Sequence, residues 1–550
     1  ARLQLMPRPH EESSNPSVEK AQELAAASHG SAPLLRDYIT AASKRNPIPC
    51  EPGNAKRAEA ISIRSSRGNE AQTSHSQSGQ SLLTSAATKL MITNGWLTIG
   101  GKLLIGGTAD VAWWRGSIRP EEAADFGLAV TRFVPGRIGS GFTDDLNEVA
   151  DSLVKNGKAA LDHNYGLWYD RRRDDHERIR RINGDVLPPF FEMPLARSGE
   201  GLAWLGLSKY DLTKFNPWYW SRLQQFANIA DERGLILFHE NYFQHNIIEA
   251  GAHWVDSPWR SVNNINHTGF PEPPPFAGDK RIFQAELFYD VTNAVRRKLH
   301  EGYIRQCLDN FTNNVNVIQF TSAEFTGPLH FMQFWLDTVG AWEKSAISNR
   351  QSAIHPIIAL SATKDVQDAI LSDATRSAVV DAVDFRYWWR TDKGEFAPLG
   401  GKNLAPRQFE RQWRGGRPND VNLAGMAAEY RGKFSGKAVI CDFDSAGWAW
   451  VCAGGSLPRL PRTTDAKLLI AIPKMQPWAE ASNGGRWVLR EAEKQILVCG
   501  GSELDLSAES GVFRVNVVNP KTGMVMPGEM VRAGGKLKLP DAAVVWLTKE

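Results

Sequence analysis

The residues of this chain best suited to chemistry are carboxylates placed where apolar strands end. Glu324 is the clearest of them. In the run Asn316–Gly327, apolar residues alternate as in a strand, Glu324 follows, and Gly327-Pro328 stops the element. A carboxylate at the end of a buried strand is costly to desolvate without a partner or a task, so Glu324 is expected to be a catalytic acid/base. Other strand ends carry similar groups. Ile105 is followed by Gly106-Gly107-Thr108-Ala109-Asp110 and then Trp113-Trp114-Arg115. Leu161 is followed by Asp162-His163-Asn164-Tyr165, Trp168 and the run Arg171–Arg173. Phe238 is followed by His239-Glu240-Asn241-Tyr242, and the last strands by Arg386-Tyr387-Trp388 and Asp442-Phe443-Asp444.

Two carboxylates at one mouth, among Trp rings and polar donors, suit hydrolysis of a glycosidic bond: one protonates the leaving oxygen, and the other attacks or activates water. Asp442, Asp444 and Glu240 are the candidate partners of Glu324. Asp442 ranks first because it directly follows the apolar strand Ala438–Cys441. Trp114, Arg115, His163, Asn164, Tyr165, Trp168, His239, Glu240, Asn241, Tyr387 and Trp388 are the expected substrate-holding residues. The plainer readings are packing for Trp113-Trp114, a solvated loop for Arg171–Asp175 and a salt bridge for Glu240. His239 and His245 flank Glu240, but the spacing is not HExxH and no third ligand follows, so no metal is expected. No cofactor is expected either. The chain has no GxSxG elbow, no P-loop and no GxGxxG leading into a helix.

These residues need a scaffold. Strand-like runs at Leu103–Ile105, Leu128–Phe133, Ala159–Leu161, Leu235–Phe238, Val315–Phe320, Ile357–Leu360, Ala382–Tyr387 and Lys437–Cys441 make eight candidates. Helical patterns lie between several of them, at Asp144–Lys155, Pro217–Arg233, Ile282–Asp309, Pro328–Ser348, Asp365–Ser372 and Asn422–Phe434. Alternation of strand and helix predicts parallel pairing, and the count predicts an α/β (β/α)₈ barrel over residues 91–475. Residues 1–90, poor in aromatics, predict an irregular segment with a short helix near Val18–Ala27. Residues 476–550 predict a small all-β sandwich of short strands between Gly-Gly, Asn-Pro and Pro-Gly turns.

Composition narrows the partners. The chain has 550 residues, 42% of them hydrophobic, and a net charge of +3, which gives no electrostatic case for nucleic acid or an anionic membrane surface. No apolar stretch is long enough to span a bilayer. Nineteen Trp and ten Tyr supply rings that stack on sugar faces, although a large aromatic core accounts for most of them. Five cysteines without a CxxC pair argue against a disulfide framework or a zinc knuckle, and Cys441 and Cys452 lie in apolar sequence as small core residues.

The chain resembles the clan A glycoside hydrolases, and most of all bacterial barrel enzymes, including apiosidases, that carry a C-terminal β-sandwich named for collagen binding. Gly234–Asn241 is similar to that clan's third strand, Ser322-Ala323-Glu324 to the fourth, Asp384–Trp388 to the sixth and Lys437–Asp444 to the seventh. Trp448–Pro458 looks like its final helix and eighth strand. The resemblance implies Glu324 as acid/base, and Asp442 or Asp444 as nucleophile or base. It also implies a plant or microbial polysaccharide or oligosaccharide as substrate, and a secreted or periplasmic, bacterial setting. Ser-Ala stands where the clan has Asn before Glu324, and Asp where it has Glu in the seventh strand. Those departures favour one alternative, a carbohydrate-binding barrel without catalysis; a third reading, a lyase acting on uronate links through Tyr165 or His163 with Arg171, needs no carboxylate pair.

Overall fold

The computed structural model describes residues 89–110, 128–133, 144–165, 190–191, 193–203, 208–244, 247, 254, 257–272, 283–323, 325–348, 355–391, 393–397, 401–403, 418–540 and 544–550. The expected N-terminal segment and its helix lie outside them. An antiparallel hairpin of β1 (Leu90–Thr93) and β2 (Trp96–Ile99) opens the described chain. Seven parallel strands follow: β3 (Gly107–Asp110), β4 (Lys158–His163), β5 (Ile236–Phe243), β6 (Val317–Ala323), β7 (Ile357–Ser361), β8 (Ala382–Asp384) and β9 (Ala438–Ile440). They neighbour one another in chain order from β3 to β9, as right-handed crossovers produce.

Strand pairing does not close this curled sheet among the described residues. Its two edges are instead joined by the segment 456–458: the Ser456 N–H donates to Val439 O at 2.7 Å, and the Gly106 N–H donates to Pro458 O at 2.9 Å. That segment occupies the place expected for an eighth strand. The inner face holds Ala160, Ile236, Phe238, Ile318, Phe320, Ala359, Ala382, Ala438, Ile440 and Leu457 as one buried cluster, alternating large and small side chains so that the interior fills. Leu90 and Leu97 of the hairpin belong to the same cluster and plug its N-terminal end.

The helices form where the sequence supplies caps. Asp145, Asn216, Asn293 and Asn419 each accept a backbone N–H at the start of α1 (Leu146–Lys155), α2 (Pro217–Glu232), α3 (Ala294–Asp309) and α6 (Asp420–Lys433). Between them lie α4 (Leu329–Ser348) and α5 (Lys364–Leu371). The single helix expected over Ile282–Asp309 is two, because Asp290 takes the Thr292 N–H and hydroxyl into a local turn before Asn293 restarts the helix.

Two expected barrel strands are corrected. Lys102–Leu103 pairs antiparallel with β2, and Arg132–Phe133 pairs antiparallel with Phe190–Phe191, so neither joins the parallel sheet. The first parallel strand is β3, which begins immediately after Gly106. Gly106 adopts φ +126°, and a Cβ there would lie 2.9 Å from Gly157 O, so only glycine lets the chain enter the sheet at this point. With this start, β5 is the third strand, β6 the fourth, β8 the sixth and β9 the seventh, the register implied by the resemblance rather than by counting.

After the short helix α7 (Trp448–Cys452) the chain turns all-β. An antiparallel sheet contains β10 (Trp487–Glu491), β11 (Gln495–Cys499), β12 (Val512–Val518) and β13 (Val544–Lys549). Alternation assigns its faces. Leu489 and Leu497 pack with Trp448 and Val451 of α7 and with Trp96. Val488, Ile496 and Val498 face Leu504 and Leu537, which come from the short strand pair Glu503–Asp505 and Lys536–Lys538.

At the lower rim, His355 Nε2 lies 2.9 Å from Glu343 Oε1 of α4 and its Nδ1 lies 3.9 Å from Asp381. The Glu343 hydrogen bond lifts the half-exposed His355 to a pKa of about 9. A histidine raised in the folded state stabilises fully below its unfolded value near 6.5 and loses that contribution as pH rises to about 9. Burial pushes Asp381 up to about 6, so its own loss falls at lower pH. The unfolding temperature is therefore expected to fall between pH 6.5 and 9, and His355→Gln to flatten that fall. Parallel melting curves for the two proteins would refute the pair's role.

Candidate active site

The period of two along each strand lifts a polar layer onto the apolar interior. Above Ala160 comes Asp162, above Phe238 comes Glu240, above Ala382 come Asp384 and Arg386, and above Ile440 comes Asp442. The Arg386 guanidinium carbon sits 4.9 Å from the Phe320 ring centre and 5.7 Å from that of Phe238, so it rests on the apolar layer.

Arg386 organises the layer. Its Nη1 donates to Asp162 Oδ2 and, at 2.8 Å, to Glu240 Oε1, while its Nε donates to Asp384 Oδ2. Asp384 Oδ2 also accepts the Ser361 hydroxyl at 2.9 Å. All four charged side chains are buried. Three carboxylates around one guanidinium leave excess negative charge in a low-dielectric site, which favours uptake of a proton. Burial first, then the Asp162 charge, pushes the Glu240 carboxyl well above the usual range, and it hydrogen-bonds to Asp162. Burial likewise raises Asp384. Burial opposes the charge on Arg386, but Asp162, Asp384 and Glu240 together hold it protonated. The Tyr387 ring centre lies 6.0 Å from the same guanidinium.

Asp442 stands at the edge of this layer, close enough for its charge to act on Asp384. Its Oδ1 accepts from Arg459 Nη2 at 2.7 Å and from the Thr108 hydroxyl, and its side chain is 32% exposed. Asp442 is thus an oriented carboxylate in contact with solvent. Asp444 lies 3.5 Å from Arg459 Nε but is 81% exposed, which takes it out of the interior.

Several expected sugar-binding residues face the other way. His163, His239 and Asn241 occupy outward positions between sheet and helices. His239 Nδ1 meets Gln319 Oε1 at 2.9 Å, and Asn241 donates to the same oxygen while accepting from Trp335 Nε1 at 2.8 Å. Burial pushes His163 down to about 3 and His239 down to about 4, so both are neutral core groups. Tyr165 packs edge-on to Tyr303, and the Trp388 indole donates to Gln367 Oε1 at 2.7 Å. Tyr165 and Trp388 are core residues too, and a lyase loses both of its proposed bases. Asn164 is buried. Trp114, Arg115, Trp168, Arg171 and Glu324 lie outside the described residues, and Glu324 follows directly on Ala323, the last residue of β6. Sequence reasoning placed Thr108, Asp162 and Arg386 at strand ends without giving them a role, and did not single out Asp384 or Arg459 for the site. Among the described residues, no group of three or more His, Cys, Asp or Glu is arranged to hold a metal ion, and no helix is long and apolar enough to cross a membrane.

A curled parallel α/β sheet with a carboxylate-rich C-terminal rim defines the class of protein. Residues 1–475 match the family described as a domain of unknown function, DUF6298, and the chain belongs to that family. No curated protein matches it. Among solved structures, the chain is similar to a glycoside hydrolase family 5 protein from Bacteroides vulgatus ATCC 8482, with 10% identity over 86% of this chain and 96% of that one and a TM-score of 0.46. It is also similar to a protein titled "Glycoside hydrolase", with 9% identity, 84% and 98% coverage and a TM-score of 0.43. For endo-glycoceramidase II from Rhodococcus sp., in its ganglioside GM3 complex, the identity is 12%, the coverage 81% and 97%, and the TM-score 0.30.

The Arg386 network gives a direct stability prediction. Arg386→Met strands buried carboxylates and is expected to cost about 3–5 kcal/mol at neutral pH. The loss should shrink on acidification, as the carboxyls take up protons. Urea unfolding at pH 7 and pH 5 would measure it, and a change under about 1 kcal/mol would contradict a shared buried network.

Proposed function

We propose that the protein is a glycoside hydrolase acting on a plant or microbial polysaccharide or oligosaccharide by a two-carboxylate mechanism. The observation that carries this reading is Asp442. It lies two residues past the seventh parallel strand, touches solvent, and is held by Arg459 and Thr108 above a buried charged layer. Glu324, next in sequence after β6, is the acid/base in this reading. In the sheet, β6 is separated from β9 by β7 and β8, so the ends of β6 and β9 flank the mouth from different sides. Asp442 then serves as nucleophile or as the base that activates water.

The buried layer supplies orientation. Arg386, Asp162 and Glu240 fix the strand ends below Asp442. Asp384 is buried among them, its Oδ1 without a donor among the described residues. Tyr387 offers an aromatic edge beside it. A polymer substrate places the enzyme outside the cytoplasm, in a secreted or periplasmic setting. One observation favours a second reading, a barrel that binds carbohydrate without cleaving it: Asp442 is one methylene shorter than glutamate, and its Oδ1 is engaged twice.

Oligosaccharide release from a panel of pectic and hemicellulosic polymers tests both readings. Wild type is expected to release product. Asp442→Asn and Glu324→Gln are each expected to lower turnover by roughly 10³-fold or more while unfolding at nearly the wild-type temperature. Near wild-type turnover in either variant would remove that residue from the mechanism. Polymer binding by wild type without any release would favour the binding barrel.

A further inference from the structure

Cys452 ends helix α7, and Cys499 ends strand β11 of the C-terminal sheet. Their thiols hydrogen-bond to each other across the junction between the two units. Both pack in the cluster formed there by Trp448, Val451, Leu489 and Leu497. The other described cysteines have different company: Cys307 bonds to Tyr303, and Cys441 to the backbone of Phe443. Cys452 also lines a cavity of about 470 Å³, shared with Arg431, Gln476, Pro477 and Trp487. Cys452 itself is buried and Cys499 partly exposed.

We propose that Cys452 and Cys499 are an oxidation site, a dithiol that closes to a disulfide and covalently fastens the curled-sheet unit to the C-terminal sheet. Thiols already in hydrogen-bond contact need only a small approach to reach the bonded separation of about 2.05 Å. The oxidant is a small disulfide such as oxidised glutathione. Cys499, the less buried member, loses its proton and attacks one oxidant sulfur, and a glutathione thiolate leaves. Cys452 then gives up its proton and attacks the Cys499 sulfur of the mixed disulfide, expelling the second glutathione. Two protein thiols are oxidised and one small disulfide is reduced to two thiols. The Cys452 hydrogen bond holds the Cys499 thiol below its ordinary pKa, which suits the attacking role, while burial pushes Cys452 up.

The test treats the folded full-length chain with oxidised glutathione, blocks free thiols under denaturing conditions and maps the cysteines by mass spectrometry. The expected product has lost about 2 Da, the mass of the two thiol hydrogens released when a disulfide forms. It joins the Cys452 and Cys499 peptides, forms equally in Cys50→Ser, and unfolds a few degrees higher until dithiothreitol reverses it. Recovery of Cys499 solely as a glutathione adduct, or of both thiols free, would overturn the proposal. Linkage of either cysteine to Cys307, Cys441 or Cys50 would do the same.

Discussion

The structure depends on one guanidinium and the carboxyls it must satisfy. Arg386 reaches β4, β5 and β8 at once through Asp162, Glu240 and Asp384. That is possible only if all three strands hold the same inward parity at their C-terminal ends. A slip of one residue in any of them would turn a charge toward the helices and bring an apolar or histidine side chain into the centre. The network is thus a register lock as well as a floor for the rim above it. Burial and the neighbouring charges raise the Glu240 carboxyl well above its usual range, and the layer rests on Phe238 and Phe320.

A second polar layer lies on the opposite face of the same strands. His239, Gln319, Asn241 and Trp335 form a connected set of hydrogen bonds between sheet and helix α4. The Tyr242 hydroxyl meets His300 Nδ1 at 2.9 Å in a bond to α3. Such groups specify which helix covers which strand more sharply than apolar packing alone. They are also the residues whose types most resemble sugar-binding ones.

That resemblance explains how much was legible. Strand and helix placement was readable, because long amphipathic periods and Asn or Asp caps leave clear marks. The place of Glu324 after the fourth strand came from the family resemblance, because counting the strand-like runs put it after the fifth. Reading every polar residue after a strand as part of the mouth was the weaker step, since consecutive strand residues point to opposite faces. In Asp162-His163 and His239-Glu240 only the carboxylate of each pair faces inward. The signal was present in Ala382-Val383-Asp384-Phe385-Arg386, where strict alternation puts Asp384 and Arg386 on one face and Phe385 on the other. The aromatic residues that follow drew attention away from it. Arg459 and Thr108 had no such signal, because their roles depend on the two sheet edges meeting. Only tertiary structure brings those edges together.

The place where those edges meet has a consequence for motion. Two backbone hydrogen bonds through residues 456–458 and the Thr108–Asp442–Arg459 contacts hold β3 and β9 in register. A continuous strand ladder would add more. Protein segments open locally in order of their stability, and thinly bonded boundaries open first. Here the thin boundary and the solvent-facing carboxylate coincide. Any breathing of the sheet at this seam shifts Asp442 relative to the Arg386 floor, so the position of the carboxylate is linked directly to the closure of the fold.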